Sequence, residues 1–160
     1  MADGFKYCFD TVCDDISGFD SGFHVFNEYL INRYDSAVMH YIIEPESETL
    51  IGYFSLQSSA VLYEEDNKQG AIPAIELKMF ALDKQYQGKG VAPVLLRSIL
   101  ETIEDYATDC IGADIILLYA VPAEGVLMLY KNAEFEQAEG LFATFNTPFA
   151  DGCIPMYKAL

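Results

Sequence analysis

The sequence contains few basic residues. Nine Lys and Arg stand against 25 Asp and Glu, which gives a formal net charge of −16 at pH 7. Because Lys and Arg drive binding to nucleic-acid phosphates, this balance argues against a nucleic-acid partner. An acidic surface favours the approach of cationic substrates such as amines, although solubility alone accounts for most of the charge.

Cysteine, histidine and long apolar runs are also scarce. The four cysteines form no metal-type pair, so we expect free thiols and no bound metal. His24 and His40 are the only histidines, and both are predicted to be structural. No apolar run is long enough to span a membrane, and the N-terminus lacks the apolar core of a signal peptide. We therefore expect a cytoplasmic protein with no membrane partner.

The 52% hydrophobic content excludes general disorder and suits one domain over residues 1–160 with a sizeable core. Hydrophobic patterns predict strands at 5–12, 37–43, 49–62, 74–82 and 114–120, others starting at 135 and 154, and helices at 23–33, 90–108 and after Pro122. This order predicts an α/β (α+β) fold with one mixed sheet of six to seven strands and helices on both faces. Asp20 or Ser21 is expected to cap the first helix, and residues 64–70 to form a mobile polar hairpin loop.

Two glycines lie where a predicted strand turns into a predicted helix. The strand covers 76–82, and Gly88 and Gly90 precede the helix directly. Glycine lets the backbone approach a ligand, and a helix N-terminus presents unpaired N–H groups to anions. This arrangement predicts a phosphate site, with a glycine-containing turn before a core helix as the alternative.

Basic residues concentrate around these glycines. Positions 78 to 97 hold four Lys or Arg and one acid, a local charge of 4 − 1 = +3. The residues are Lys78, Lys84, Lys89, Arg97 and the acid Asp83. A positive segment in an acidic chain indicates a phosphate-rich cofactor.

Residues 87–92, Gln-Gly-Lys-Gly-Val-Ala, resemble the Gln/Arg-x-x-Gly-x-Gly/Ala signature of the GNAT superfamily, the acetyl-CoA-dependent N-acetyltransferases. Residues 80–83 resemble the fourth strand of that family, and residues 129–131 with Phe135 resemble the fragment that closes its cofactor site. The similarity extends from about Leu50 to Phe135. Residues 52–56 and 72–73 further resemble the branch that contains toxin-type acetyltransferases.

The resemblance implies a single GNAT-like domain that binds acetyl-CoA and acetylates a primary amine of a small molecule or protein by direct attack. It implies that backbone N–H groups after Gln87 face the pyrophosphate, and that the strand before the loop pairs with the pantetheine arm. The implied cofactor-binding residues are Phe80, Ala81, Leu82, Gln87, Gly88, Lys89, Gly90, Val91, Ala92 and Pro93.

Two side chains are candidates for proton transfer. The family places a tyrosine at the position of Tyr130, where a phenol with a reference pKa of about 10 can protonate the leaving thiolate. A core aromatic residue is the alternative. Glu76, on the same face of its strand as Leu82, is the candidate base, since a carboxylate in an apolar strand is costly without a role. The alternatives are a pair with Lys78 at an exposed edge, or deprotonation through water.

The sequence departs from the family at two positions and leaves other functions open. Ala123 stands where many members carry an asparagine, and Glu134 replaces the glycine that often precedes Phe135. One alternative function is a toxin that acetylates aminoacyl-tRNA and has an antitoxin partner. Another is a non-catalytic module that binds acetyl-CoA. A homodimer is an expectation from the family alone.

Overall fold

The computed structural model describes residues 4–33, 35–138 and 152–160. Seven strands form one mixed sheet in the order β1-β2-β3-β4-β5-β7-β6. The strands are β1 Cys8–Asp10, β2 Val38–Glu44, β3 Thr49–Glu65, β4 Lys68–Leu82, β5 Ile115–Ala120, β6 Glu136–Gln137 and β7 Ile154–Ala159. The helices are α1 His24–Asn32, α2 Val91–Tyr106 and α3 Glu124–Asn132. The predicted fold class and strand number are confirmed.

Parallel and antiparallel pairs occur in the same sheet. β5 pairs in parallel with β4, from Ala74↔Ile115 to Glu76↔Leu117, and antiparallel with β7 on its other side. β2 is antiparallel to both β1 and β3. The parallel pair requires a crossover between its strands, and α2 is the helix in that connection.

The chain divides into two compact units. Unit 1 comprises residues 1–57 and 77–95, and unit 2 comprises residues 58–76 and 96–160. The unit 1 core is built from Tyr29, Leu30, Met39, Tyr41, Leu50, Tyr53, Met79 and Ala81. A core cluster of unit 2 is built from Val61, Ala74, Ile115 and Leu117. The single domain over residues 1–160 stays a prediction.

The connection between β3 and β4 is shorter than predicted. The strands continue to Glu65 and resume at Lys68, so the mobile loop predicted for 64–70 is wrong. Asp66 and Asn67 form the turn with φ of 51° and 60°. Asp and Asn tolerate this left-handed conformation, and two such residues in succession match the twist of a tight hairpin.

Two helix ends differ from the predictions. Phe23, rather than Asp20 or Ser21, is the N-cap of α1, and it makes no side-chain cap hydrogen bond. α2 ends at Tyr106 and continues as a π-helical turn, Ala107–Ile111. Among the described helices, none is both long and apolar enough to span a membrane. All four cysteines are free thiols, as predicted.

Candidate functional site

The loop between β4 and α2 has the backbone geometry that its glycines suggest. Gly88 and Gly90 have φ of 69° and 75°, in the left-handed region that favours glycine. A Cβ added at either residue would meet nothing within 4 Å. The backbone conformation therefore explains both glycines, and open space surrounds the loop. α2 begins at Val91, directly after Gly90, so its first N–H groups belong to the same short stretch.

The Gln87 side chain is committed to the protein itself. Its Nε2 donates hydrogen bonds to the backbone oxygens of Leu82 and Ser21, both at 2.8 Å. The amide therefore ties the loop to the end of β4 and to the turn before α1. A role in cofactor binding falls to the backbone of Gln87 rather than to its amide, and that role stays a prediction.

Asp83 is a buried acid at the start of the loop, with 5% of its surface exposed. Its Oδ1 accepts a hydrogen bond from the Gln85 N–H at 2.9 Å, and its Oδ2 accepts one from the Asp20 N–H at 3.0 Å. Along the sequence, Asp83 stands out only as one negative charge among four basic residues. An aspartate two residues before a turn N–H is a known turn-forming arrangement, and this signal identifies the residue.

The basic residues near the loop are partly neutralised by acids from elsewhere in unit 1. Lys78 Nζ lies 3.0 Å from Asp35 Oδ2, and Lys84 Nζ lies 2.5 Å from Asp20 Oδ2. The hydrogen bond from Lys84 holds the pKa of Asp20 well below its usual range. The local charge of +3, counted along the sequence, therefore overstates the positive field of the folded loop.

The end of β4 lies close to β3. A Cβ at Gly52 would come within 2.4 Å of the Ala81 oxygen and 2.8 Å of Leu82 Cδ2. The Asp83 N–H donates to the Ile51 oxygen at 2.8 Å, so this approach continues beyond Leu82. Glycine at position 52 thus permits the backbone placement of residues 80–82, which are the predicted pantetheine-binding residues.

Tyr130 belongs to unit 2 and lies in α3. Only 8% of its surface is exposed, and burial raises the pKa of its hydroxyl well above the ordinary value. Its ring contacts Phe135 in a T-shaped arrangement with centroids 5.7 Å apart. The raised pKa keeps the proton on the hydroxyl oxygen. The phenol is therefore neutral and protonated over the ordinary pH range, as a general acid requires.

Glu76 also belongs to unit 2, where β4 pairs with β5. It is 6% exposed, on an interior strand of the sheet. Because Glu76 is buried on this interior strand, the exposed edge of the alternative interpretation is wrong. The Lys78 ammonium lies 3.0 Å from Asp35 Oδ2 and donates to Gln57 Oε1 at 3.0 Å. A buried carboxylate on a central strand fits a base more closely than a solvated surface charge does.

Ala123, the first departure from the family pattern, is the N-cap of α3 and makes no side-chain cap hydrogen bond. An asparagine at this position would supply an acceptor for the first N–H groups of the helix.

His40 is 5% exposed, and its ring stacks on Phe54 with centroids 4.7 Å apart. Desolvation lowers the pKa of His40, which agrees with the predicted structural role.

Comparisons with known proteins give a consistent set of relatives. No protein-family model matches the chain. A tRNA-acetylating toxin of Mycobacterium tuberculosis is 26% identical over 136 residues, which cover 77% of this chain and 79% of the toxin.

Solved structures of the toxin AtaT are also similar. In one, a tyrosine-to-phenylalanine mutant of AtaT is bound to acetyl-CoA and to the C-terminus of the antitoxin AtaR. This structure has a TM-score of 0.70 at 18% identity, and the match covers 97% of this chain and 94% of the AtaT chain. In another, AtaT is complexed with acetyl-methionyl-tRNAfMet; it has a TM-score of 0.68 at 19% identity and covers 87% of this chain and 95% of its own.

These relatives bear on several predictions. The predicted acyltransferase class and acetyl-CoA cofactor agree with them, since the relatives are acetylating toxins and one is solved with acetyl-CoA. The prediction that nucleic acid is an unlikely partner is not supported by these relatives, because one is solved with a tRNA. The roles of the individual site residues stay predictions. The resemblance that residues 87–92 carry is confirmed: this chain has the fold of the GNAT acetyltransferases.

Proposed function

We propose that the protein transfers the acetyl group of acetyl-CoA to the amino group of an aminoacyl-tRNA. The observation that carries the proposal is the left-handed loop at Gly88 and Gly90, which leads directly into the N-terminus of α2. Such a loop suits the diphosphate of a nucleotide cofactor. The similarity to tRNA-acetylating toxins supports the choice of acceptor.

The side chains of unit 2 supply the proton transfers in this proposal. Acetyl-CoA supplies an activated thioester. Glu76 accepts a proton from the attacking amine, directly or through water, so that a new C–N bond forms as the C–S bond breaks. Tyr130 donates its proton to the departing sulfur, which leaves as a thiol. In unit 1, a backbone N–H at residues 80–82 would supply a hydrogen-bond donor for an oxyanion.

The acidic surface limits how a tRNA binds. Among the described residues, basic side chains that form ion pairs with carboxylates include Lys6, Lys78, Lys84 and Lys158. Each phosphate that a basic residue neutralises contributes about −0.7 to −0.9 to the slope of log affinity against log salt. Because the sequence has nine Lys and Arg in all, we expect a slope for tRNA no steeper than about −8.

Release of the free thiol from acetyl-CoA tests the proposal. The purified protein is incubated with acetyl-CoA in four separate reactions. Each contains one class of acceptor: a mixture of aminoacyl-tRNAs, uncharged tRNA, free amino acids, or small amines. We expect thiol release with aminoacyl-tRNA alone, together with an acetylated amino acid after mild hydrolysis of the ester bond. Turnover with free amines but not with charged tRNA would contradict the proposed acceptor.

Acetylation of an acceptor other than tRNA is the second candidate function. The net charge of −16 favours it, since cationic amines or basic protein N-termini are attracted to such a surface. Binding of acetyl-CoA with no turnover on any acceptor would instead favour the non-catalytic module.

Toxin activity, which the main proposal implies, further predicts growth arrest when the chain is expressed in bacteria, and relief of that arrest by a protein partner. A tRNA acceptor would place the reaction in the cytoplasm.

A further inference from the structure

The turn before α1, residues 20–22, is hydrogen-bonded to the segment that leads into the glycine loop. The Asp20 N–H donates to Asp83 Oδ2 at 3.0 Å, and the Lys84 N–H donates to the Asp20 oxygen at 2.9 Å. The Gln87 amide donates to the Ser21 oxygen at 2.8 Å. Together with the ion pair between Lys84 and Asp20, these three bonds connect two segments more than 60 residues apart in sequence.

The same turn is bonded to α1. Asn27 Nδ2 donates to Asp20 Oδ1 at 2.9 Å, and Asn27 Oδ1 accepts from the Ser21 N–H at 2.8 Å. Ser21 itself is 1% exposed, so its backbone groups are shielded from water. A continuous set of hydrogen bonds thus runs from Gln87 through Ser21 and Asn27 into α1. We call it the Gln87–Asn27 network.

Within this network, Gln87 fixes the conformation of the glycine loop. It precedes Gly88, whose backbone is permissive, and its two donors bind oxygens on two different segments, at Leu82 and Ser21. A loop that is already fixed loses less conformational entropy when a ligand binds. The two bonds of Gln87 therefore lower the cost of presenting the loop N–H groups to an anion.

We propose that Gln87 is a positioning residue that holds the glycine loop in its anion-binding conformation and links anion binding there to the order of residues 20–27. This proposal rests on the proposed function, since acetyl-CoA is the ligand considered. The Gln87 amide acts through the backbone of the loop and not by touching the cofactor. Binding of acetyl-CoA then stabilises the turn before α1, and loss of the amide donors weakens both effects.

Three variants separate position from charge. Gln87→Glu keeps the shape of the side chain, removes both donors and sets a carboxylate against two carbonyl oxygens. Gln87→Arg retains N–H donors. Gln85→Glu introduces the same charge two residues away, at an exposed position. The dissociation constant for acetyl-CoA is measured by calorimetry, and hydrogen exchange of residues 20–27 is measured with and without acetyl-CoA.

We expect Gln87→Glu to bind acetyl-CoA about tenfold more weakly, Gln85→Glu to remain within about threefold of the wild type, and Gln87→Arg to bind more tightly than Gln87→Glu. Acetyl-CoA should slow hydrogen exchange of residues 20–27 in the wild type and to a smaller extent in Gln87→Glu.

Other results would overturn the inference. Equal weakening by Gln87→Glu and Gln85→Glu would assign the effect to charge alone. A lower melting temperature in Gln87→Glu with unchanged affinity would assign Gln87 a purely structural role. Failure of the wild-type protein to bind acetyl-CoA would overturn the proposed function and the inference together. Normal binding by both the wild type and Gln87→Glu would overturn the inference alone, so the two failures are distinguishable.

Discussion

The two units hold their candidate functional groups in opposite ways. Unit 1 presents backbone groups on an exposed loop, and hydrogen bonds from Gln87 and Asp83 fix that loop. Unit 2 contributes two side chains, Tyr130 and Glu76, that are almost fully buried. Binding an anion through N–H groups requires a fixed backbone shape, whereas proton transfer requires a side chain whose protonation state is controlled by burial. The comparison separates residues whose loss affects binding from those whose loss affects chemistry.

The largest expected effect is on the unit 2 side of this comparison. We expect Tyr130→Phe to lower the rate of acetyl transfer by about 10²-fold or more, because general acids contribute 10²–10⁴-fold. Affinity for acetyl-CoA should be unchanged. Tyr157→Phe is the matched control, since the Tyr157 hydroxyl bonds to Glu136 in the same unit. A wild-type rate in Tyr130→Phe would return Tyr130 to the role of a core aromatic residue.

The raised pKa of Tyr130 adds a pH dependence. Because its proton is held above the ordinary tyrosine value of about 10, ionisation of this group should not reduce the wild-type rate below that pH. The raised pKa of Tyr130 also makes the stability of the folded protein fall at high pH. The folded state retains the proton after the unfolded state has lost it, so the contribution of Tyr130 to stability is complete below pH 10 and declines above it.

The close approach of β3 to the end of β4 supplies the next prediction, on the unit 1 side. We expect Gly52→Ala to lower the free energy of unfolding by about 1–3 kcal/mol, because its Cβ would meet the Ala81 backbone oxygen. Acetyl-CoA affinity should fall as residues 80–82 move. Gly18→Ala is the control, since nothing lies within 4 Å of that Cβ and its effect on denaturant unfolding should be small.

Glu76 tests whether unit 2 supplies both proton transfers. We expect Glu76→Gln, which keeps the size of the side chain, to reduce kcat/KM about tenfold or more at neutral pH, with unchanged acetyl-CoA affinity. The deficit should shrink at higher pH, where more of the amine is already deprotonated. An unaltered pH–rate profile in this variant would favour a deprotonation path through water without Glu76.

The smallest expected effect concerns the start of α3. Ala123→Asn should raise the free energy of unfolding by about 0.5–2 kcal/mol, because the asparagine side chain would accept a hydrogen bond from the first turn of the helix. Val121→Asn, in the segment just before the helix, is a control without a cap position. If Ala123→Asn also tightened acetyl-CoA binding, the contrast between a binding unit and a chemistry unit would be weaker than proposed.

The sequence predicted the sheet and the loop because both depend on local patterns. Apolar runs such as 115–120 became strands at nearly the predicted bounds, and Gly88 and Gly90 have the left-handed conformation that glycine favours. Charge was less predictable, since the acids that neutralise Lys78 and Lys84 are far away in the chain. The role of the Gln87 amide depends on Ser21, 66 residues earlier, and no pattern in the sequence connects the two.

The two-residue turn at Asp66 and Asn67 restricts how this protein varies in length. An added residue within either arm of the β3–β4 hairpin would turn every following side chain of that strand from one face of the sheet to the other. A residue added at the tip would change only the turn. Homologues that differ in length here should therefore carry their insertions or deletions at the tip, while both arms retain their alternation.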